Sequence, residues 1–435
     1  GTATGVDLSI LGDRAPFEIY GPLETDFAIK GALPRPTITL TGRSPSIVLA
    51  GLHLSDLDFT ARGDGTRMAL EELKGYAGQG ALTATGTADL LPGGVELDFS
   101  LEGSGLDLAR VTKELKRNGS PALSGTADVT LSGSLKGGVW AGRGELHSER
   151  MRAFGLDFDE VTLPLVLEEG GVRAENASAR FCEGSLDGGG DLETSTGRWN
   201  IRAALRGADM ERAVEAVTDI DGRITGKGDL DLTLSGAFGK HLLVTGGGNF
   251  TATEGEVSGF EALKAISSTY GMSTLRYGRI DANFKVDGNV VTLLPGSRAT
   301  AQTDDTFYRY LTVDGAAGPG GNLNLYCSGL VNVQALNTLL GAIQGLAVSG
   351  TASPGAILEG LIGGIVGGMG KQDFRDTSFR VEGTWSNPLF SCFRVAPPRD
   401  ASRPQPDTNS TGQTLQDDRG HKVTISIPTG ESAGE

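Results

Sequence analysis

VELDFSLEGSGL, residues Val95 to Leu106, is the stretch that decides the fold. Val95, Leu97, Phe99 and Leu101 alternate with Glu96, Asp98, Ser100 and Glu102. A period of two sends alternate side chains to opposite faces of a pleated strand, so this is a half-buried antiparallel strand. The same grammar extends in both directions: Leu230, Leu232 and Leu234 alternate in the same way. Asp64-Gly65, Gly93-Gly94, Gly170-Gly171 and Asp287-Gly288 punctuate the strands at hairpin distance, where turns need residues that tolerate positive φ.

Working outward, the chain repeats itself at an offset of 104 residues, without gaps from Gly51–Arg110 onto Gly155–Val214. GLHLSDLDF (Gly51 to Phe59) lies on GLDFDEVTL (Gly155 to Leu163), and GALTATG (Gly80 to Gly86) on GSLDGGG (Gly184 to Gly190). VELDFSLEGSGL lies on WNIRAALRGADM (Trp199 to Met210); after a one-residue slip, SGTADVTLSG (Ser124 to Gly133) lies on KGDLDLTLSG (Lys227 to Gly236). A third, degraded copy follows, with RIDANFKVDGNVV (Arg279 to Val291) in the place of Glu160 to Val172 and GGNLNLYCSGL (Gly320 to Leu330) in that of the Val95 strand. The expected organisation is N-terminal strands over 1–50 and modules over 51–154, 155–258 and 259–334, the last with an inserted helix. Apolar helices over 335–371, terminal strands over 372–396 and a polar, disordered tail over 397–435 complete it.

Composition sets the limits. Glycine is 67 of 435 residues, roughly twice ordinary usage, with no Gly-X-Y period, which excludes collagen and a mostly helical protein. Net charge is −16, which argues against nucleic acid as a partner. Cys182, Cys327 and Cys392 are far apart and form no C-x-x-C, so neither a zinc site nor a disulfide scaffold is expected. No run of about 20 apolar residues occurs, and the first residues lack the pattern of a secretory signal. The abrupt start points to an absent upstream segment.

The fold class is all-β, mainly antiparallel, with a few short helices. These are expected at Leu106–Leu115, at Met210–Val217 behind an Asp209 cap, at Phe260–Tyr270, and as a pair near the C-terminus. About 20 strands each present one apolar face, which so few helices cannot cover. Either the face closes on itself as a sandwich or barrel, or a curved open sheet leaves a long apolar groove.

Four phrases in order, GRITGKGDLDLTLSG (Gly222 to Gly236), GGGNFTATEGEVSGFEALKAI (Gly246 to Ile266), RIDANFKVDGNVV and FRVEGTWSNPLF (Phe379 to Phe390), resemble the periplasmic part of the AsmA-like family, the AsmA and TamB group. The resemblance covers residues 1 to 396 and implies an elongated, taco-like sheet with an apolar interior. It also implies a periplasmic location in a Gram-negative-type bacterium, with inner-membrane anchoring through the absent N-terminal segment, and phospholipid transport towards the outer membrane. The resemblance also implies, as an alternative, a role in assembly of outer-membrane proteins, with which TamB-like members have been connected.

On this reading the protein is a non-enzymatic conduit that needs no cofactor. The groove wall consists of Val95, Leu97, Phe99, Leu101, Val129, Leu131, Ile201, Leu205, Leu232, Leu234, Phe284, Val286, Leu323 and Leu325, the opposite parity facing solvent. The rival readings are a scaffold for outer-membrane protein assembly and a structural or adhesive β-repeat protein with a packed interior. Phospholipids are the expected partners, with a membrane at the C-terminal end and outer- or inner-membrane proteins as further candidates. At that end Ile357, Leu358, Leu361, Ile362, Ile365 and Val366 form an apolar stripe, while Gly360, Gly364 and Gly368 recur every four residues. The stripe is either a plug over the sheet end or a membrane foot.

The remaining motifs are decoys. Gly430-Glu-Ser-Ala-Gly434 matches a nucleophile elbow, but in a polar tail without the strand and helix that motif requires. His53, His147, His241 and His421 form no H-x-x-x-H. Asp219-Ile-Asp221-Gly222 lacks the distal glutamate of a calcium loop and reads as turn chemistry.

Overall fold

The computed structural model describes residues 1–9, 18–32, 36–49, 51–64, 66–91, 94–114, 123–217, 223–238, 243–258, 274–333, 373–384, 387–397, 415–416 and 422–423. Gly1–Val395 form one unit and Ala396–Glu435 a second, the latter holding a small hairpin of Leu415–Gln416 with Lys422–Val423.

The first unit begins with β1 (Thr2–Asp7), β2 (Ile19–Tyr20), β3 (Pro22–Lys30) and β4 (Thr37–Leu49). The first module holds β5 (Leu52–Gly63), β6 (Arg67–Ala77), β7 (Gly80–Leu91), β8 (Gly94–Asp107), helix α1 (Leu108–Glu114), β9 (Leu123–Lys136) and β10 (Val139–Ala153). The second holds β11 (Leu156–Glu168), β12 (Gly171–Phe181), β13 (Gly184–Glu193), β14 (Arg198–Asp209), helix α2 (Met210–Val217), β15 (Arg223–Ile224), β16 (Lys227–Ala237) and β17 (Leu243–Ser258). The third holds β18 (Thr274–Asp287), β19 (Val290–Leu293), β20 (Arg298–Thr300), β21 (Tyr308–Ala317) and β22 (Asn322–Asn332), and β23 (Phe374–Thr384) and β24 (Asn387–Val395) are the terminal strands.

All 24 strands belong to one long, curved, antiparallel sheet. Successive strand positions pair in chain order, so the sheet is an uninterrupted meander from β1 to β24. Three positions are shared by collinear pieces: β2 with β3 beside β4, β15 with β16 beside β17, and β19 with β20 beside β18. At about 4.8 Å per position, the contour across the strands is on the order of 100 Å. No pairing joins β1 to β24 among the described residues, so hydrogen bonds do not close the sheet into a barrel.

The modules correspond strand by strand, down to their irregularities. Asp56 and Glu160, 104 residues apart, both adopt positive φ (50° and 52°) at register shifts in β5 and β11. The turns Gly78-Gln79 and Cys182-Glu183 both place two residues at positive φ, as a type I′ hairpin requires. Gly105 and Gly207 form the same bulge, their N–H groups donating to Asp128 Oδ1 (2.8 Å) and Asp229 Oδ1 (2.7 Å). Register revises one detail of the repeat. Leu82 of β7 and Leu186 of β13 match at an offset of 104, but their partners Gly103 and Leu205 match at 102, because the β13–β14 hairpin is two residues shorter.

Two expected helices form, and both are capped: Asp107 Oδ1 accepts from the N–H groups of Ala109 and Arg110, and Asp209 Oδ1 from that of Arg212. The expected helices at Phe260–Tyr270 and over 335–371 lie outside the described residues. In the third module, Leu294 to Ser297 divide the second strand into β19 and β20, where Pro295 has no N–H to give a ladder. Buried Ser297 seals the break, donating to Leu294 O at 2.8 Å and accepting from Asn283 N–H at 3.2 Å.

Buried side chains form three clusters along the rim that carries the helices, and Leu323, Leu325, Cys327 and Val381 a further one towards the opposite rim. Ile47, Leu54, Leu57, Ala77, Leu82 and Leu106 form one cluster on the helix rim, and Phe181, Leu205 and Ala208 a second. A third joins Met210, Ala252 and Tyr277. Helix α2 bridges the second and third, with Ala213 against one and Val214 against the other. The opposite rim consists of hairpin turns and leaves Ile29, Leu90 and Trp140 exposed.

Candidate functional site: the apolar face of the sheet

Directly opposed residues of antiparallel strands point to the same face, so register partners can be followed from strand to strand. One such row runs Gly42, Phe59, Leu73, Ala84, Leu101, Leu131, Gly144, Leu165, Ala174, Gly190, Ile201, Leu234, Gly246, Val286, Val291, Ala317, Leu323 and Gly383. It contains no polar side chain from β4 to β23. A second row lies beside it towards the turn rim: Phe27, Leu40, Ala61, Leu70, Gly86, Phe99, Gly133, Gly142, Leu167, Val172, Leu192, Trp199, Gly236 and Val244. It too is wholly apolar.

The fourteen wall positions read from alternation all stand on this face. Phe99, Leu101, Leu131, Ile201, Leu234, Val286 and Leu323 belong to the two rows, and the other seven flank them. Val95 opposes Leu90, Leu97 opposes Leu135, Val129 opposes Leu146, and Leu205 opposes Leu230. Leu232 and Phe284 both oppose Gly248, and Leu325 opposes Val381. Leu205, Leu323 and Leu325 are buried and the rest half-buried, while Asp98, Ser100, Glu102, Thr130, Arg202, Thr233, Lys285 and Asn324 on the other parity are exposed. Ile357, Leu358, Leu361, Ile362, Ile365 and Val366 lie outside the described residues.

Half-burial has a physical cause. Contacts between described elements run almost wholly between lateral neighbours, so among the described residues no second layer covers the face, and its reduced exposure comes from curvature and from neighbours leaning across glycines. A Cβ on Gly133 would lie 3.1 Å from the Phe99 ring, and one on Gly248 3.1 Å from that of Phe284. On this face glycines such as Gly133 and Gly248 make room for the large residues opposite them.

The opposite face is ionic. Arg43 pairs with Asp58 at 2.9 Å, Arg150 with Asp159 at 3.2 Å, and Arg206 with Asp231. All are well exposed, so each adds little stability but keeps that face wet. A depression of about 560 Å³ among the first strands is lined mainly by polar residues such as Thr2, Glu24, Arg43 and Asp58, with Gly42 and Phe59 beside them.

Titratable groups on the apolar face are few. Burial, reinforced by nearby Asp314, pushes the Cys327 thiol up to about 12, and burial raises the Tyr277 phenol, whose hydroxyl donates to Thr225 O at 2.5 Å. All three cysteines are free thiols. Among the described residues no group of three or more His, Cys, Asp or Glu could hold a metal ion, and no helix is long and apolar enough to cross a membrane.

Alternation in β3, β4, β11 and β12 could have added Phe27, Leu40, Leu167 and Val172 to the wall. Trp199 was also legible as an apolar position, though not its environment: its indole Nε1 is buried without an acceptor. Compared with protein-family models, with curated proteins and with solved structures, the chain finds no significant match.

Proposed function

We propose that the protein is a non-enzymatic lipid-binding and lipid-transfer protein, which carries phospholipid acyl chains along the apolar face. The observation that carries this reading is the pair of unbroken apolar rows, half-buried yet covered by no second layer among the described residues. A packed sandwich has no use for such a face, and an exposed one is unfavourable in water. Burying a methylene contributes about 0.8 kcal/mol, so a 16-carbon chain laid on this face gains on the order of 10 kcal/mol. Its head group stays in water at the turn rim. The AsmA-like resemblance supports the same reading and adds a periplasmic setting between two membranes.

The test is mass spectrometry of gently purified protein for co-purifying phospholipid, followed by loading with a fluorescent phospholipid. A lipid-free, monodisperse protein that takes up no probe overturns the proposal. A second reading, a scaffold for outer-membrane protein assembly, is favoured by the edges: β1 and β24 each lack a partner on one side among the described residues, and such edges accept added strands. Binding of an extended client peptide without any lipid uptake would favour that reading.

A further inference from the structure

Trp199 is the second residue of β14, one step in from the turn rim, and only 8% exposed. Its Nε1 is the one buried side-chain nitrogen or oxygen without a hydrogen-bond partner among the described residues. Its register partners, Leu192 and Gly236, have no acceptor side chain, and the Phe238 ring lies 6.2 Å away. A buried donor left unpaired is destabilising and rare in native proteins. Water is a poor remedy, because a buried water needs two to four polar partners and neither register partner of Trp199 offers a polar side chain. The missing acceptor is therefore one carried on an apolar body.

We infer that Trp199 is a hydrogen-bonding subsite of the apolar face, its indole N–H donating to the ester carbonyl of a bound acyl lipid. This rests on the lipid-carrying reading above and names what the site recognises. An acyl ester joins an acceptor to an alkyl chain at the junction with the head group. With the carbonyl at Trp199, the chain runs along β14 and β16 over Ile201 and Leu234, and the head group emerges past the turn at Ser195–Gly197. Phe238 is the side chain that yields to admit it.

The experiment uses the delipidated full chain and two probes, diester dipalmitoyl phosphatidylcholine and its diether dihexadecyl analogue, competed against a fluorescent phospholipid. The wild type prefers the diester by about 2- to 10-fold, the worth of one neutral hydrogen bond. Trp199→Phe binds both alike, and its lipid-free form is no less resistant to urea, since it has lost the orphan donor. Independently of any variant, the chain has three tryptophans, so 15N-indole spectra resolve Trp199: its Nε1–H resonance moves downfield with the diester and not with the diether. A wild type without preference, a preference that survives Trp199→Phe, or an unmoved resonance overturns the inference. If the wild type binds neither probe, the lipid reading itself fails.

Discussion

Ser44 of β4, just ahead of the first module, and Ser148 of β10, 104 residues on at the end of that module, occupy equivalent positions. Each is almost wholly buried (2% and 1% exposed). Each hydroxyl donates to a carbonyl of the preceding strand, Pro22 O at 2.5 Å or Thr126 O at 2.6 Å. Each also reaches the carbonyl two residues on, Ser46 O at 3.1 Å or Arg150 O at 2.9 Å. They hold the strand where its register breaks, and Ala252 of β17, a further 104 residues on, is buried in their place. Ser148→Ala and Ser44→Ala should each cost about 1–2 kcal/mol, since buried carbonyls lose their donor. Equilibrium urea unfolding measures it; a loss below about 0.3 kcal/mol would mean the break holds itself.

Leu232 and Thr233 are neighbours on opposite faces of β16. Leu232→Asp and Phe284→Asp put a charge on an uncovered face and should leave a cooperative β-sheet by circular dichroism, while abolishing lipid uptake. Thr233→Asp should change stability by no more than about 0.5 kcal/mol and leave uptake intact. If both wall variants simply unfold, the face is packed rather than open.

Gly80 and Gly184 face the bulges of β8 and β14. A Cβ on Gly80 would lie 2.6 Å from Leu106 N, and one on Gly184 2.8 Å from Ala208 N. Because backbone cannot swing aside, Gly80→Ala and Gly184→Ala should each destabilise by about 1–3 kcal/mol. Gly318, at φ −106° with open space around it, is the contrast. Gly318→Ala should be neutral or gain up to about 1 kcal/mol by restricting the unfolded chain. Thermal unfolding of the three variants gives the order.

Cys392 is exposed, Cys182 half-buried and Cys327 buried. With its thiol at about 12, Cys327 is about one part in ten thousand thiolate at pH 8 and should react with a thiol reagent only after unfolding. Cys392 should react first. The shift also has a sign in stability: the folded thiol ionises later than the ordinary 9.0, so its contribution is intact below about pH 9 and is lost as pH rises towards about 12. Fast labelling of all three thiols in the native protein would contradict this.

Strand identity, hairpin positions and the apolar parity were legible in the sequence because each is local. A period of two names a strand and its two faces at once, and Gly-rich pairs name the turns. The 104-residue offset likewise set β5, β6 and β7 onto β11, β12 and β13. What alternation could not choose was between a sheet that closes on itself and one that stays open. That depends on the pairing at β1 and β24 and on the curvature accumulated across the whole meander. The two-residue change of offset at the β13–β14 hairpin, the strand divided at Pro295 and the shared seat of Ser44 and Ser148 belong to register, which joins residues distant in sequence. The orphan indole of Trp199 is decided at the same level: whether a polar atom has a partner is a property of everything packed around it, and only the folded chain determines those neighbours.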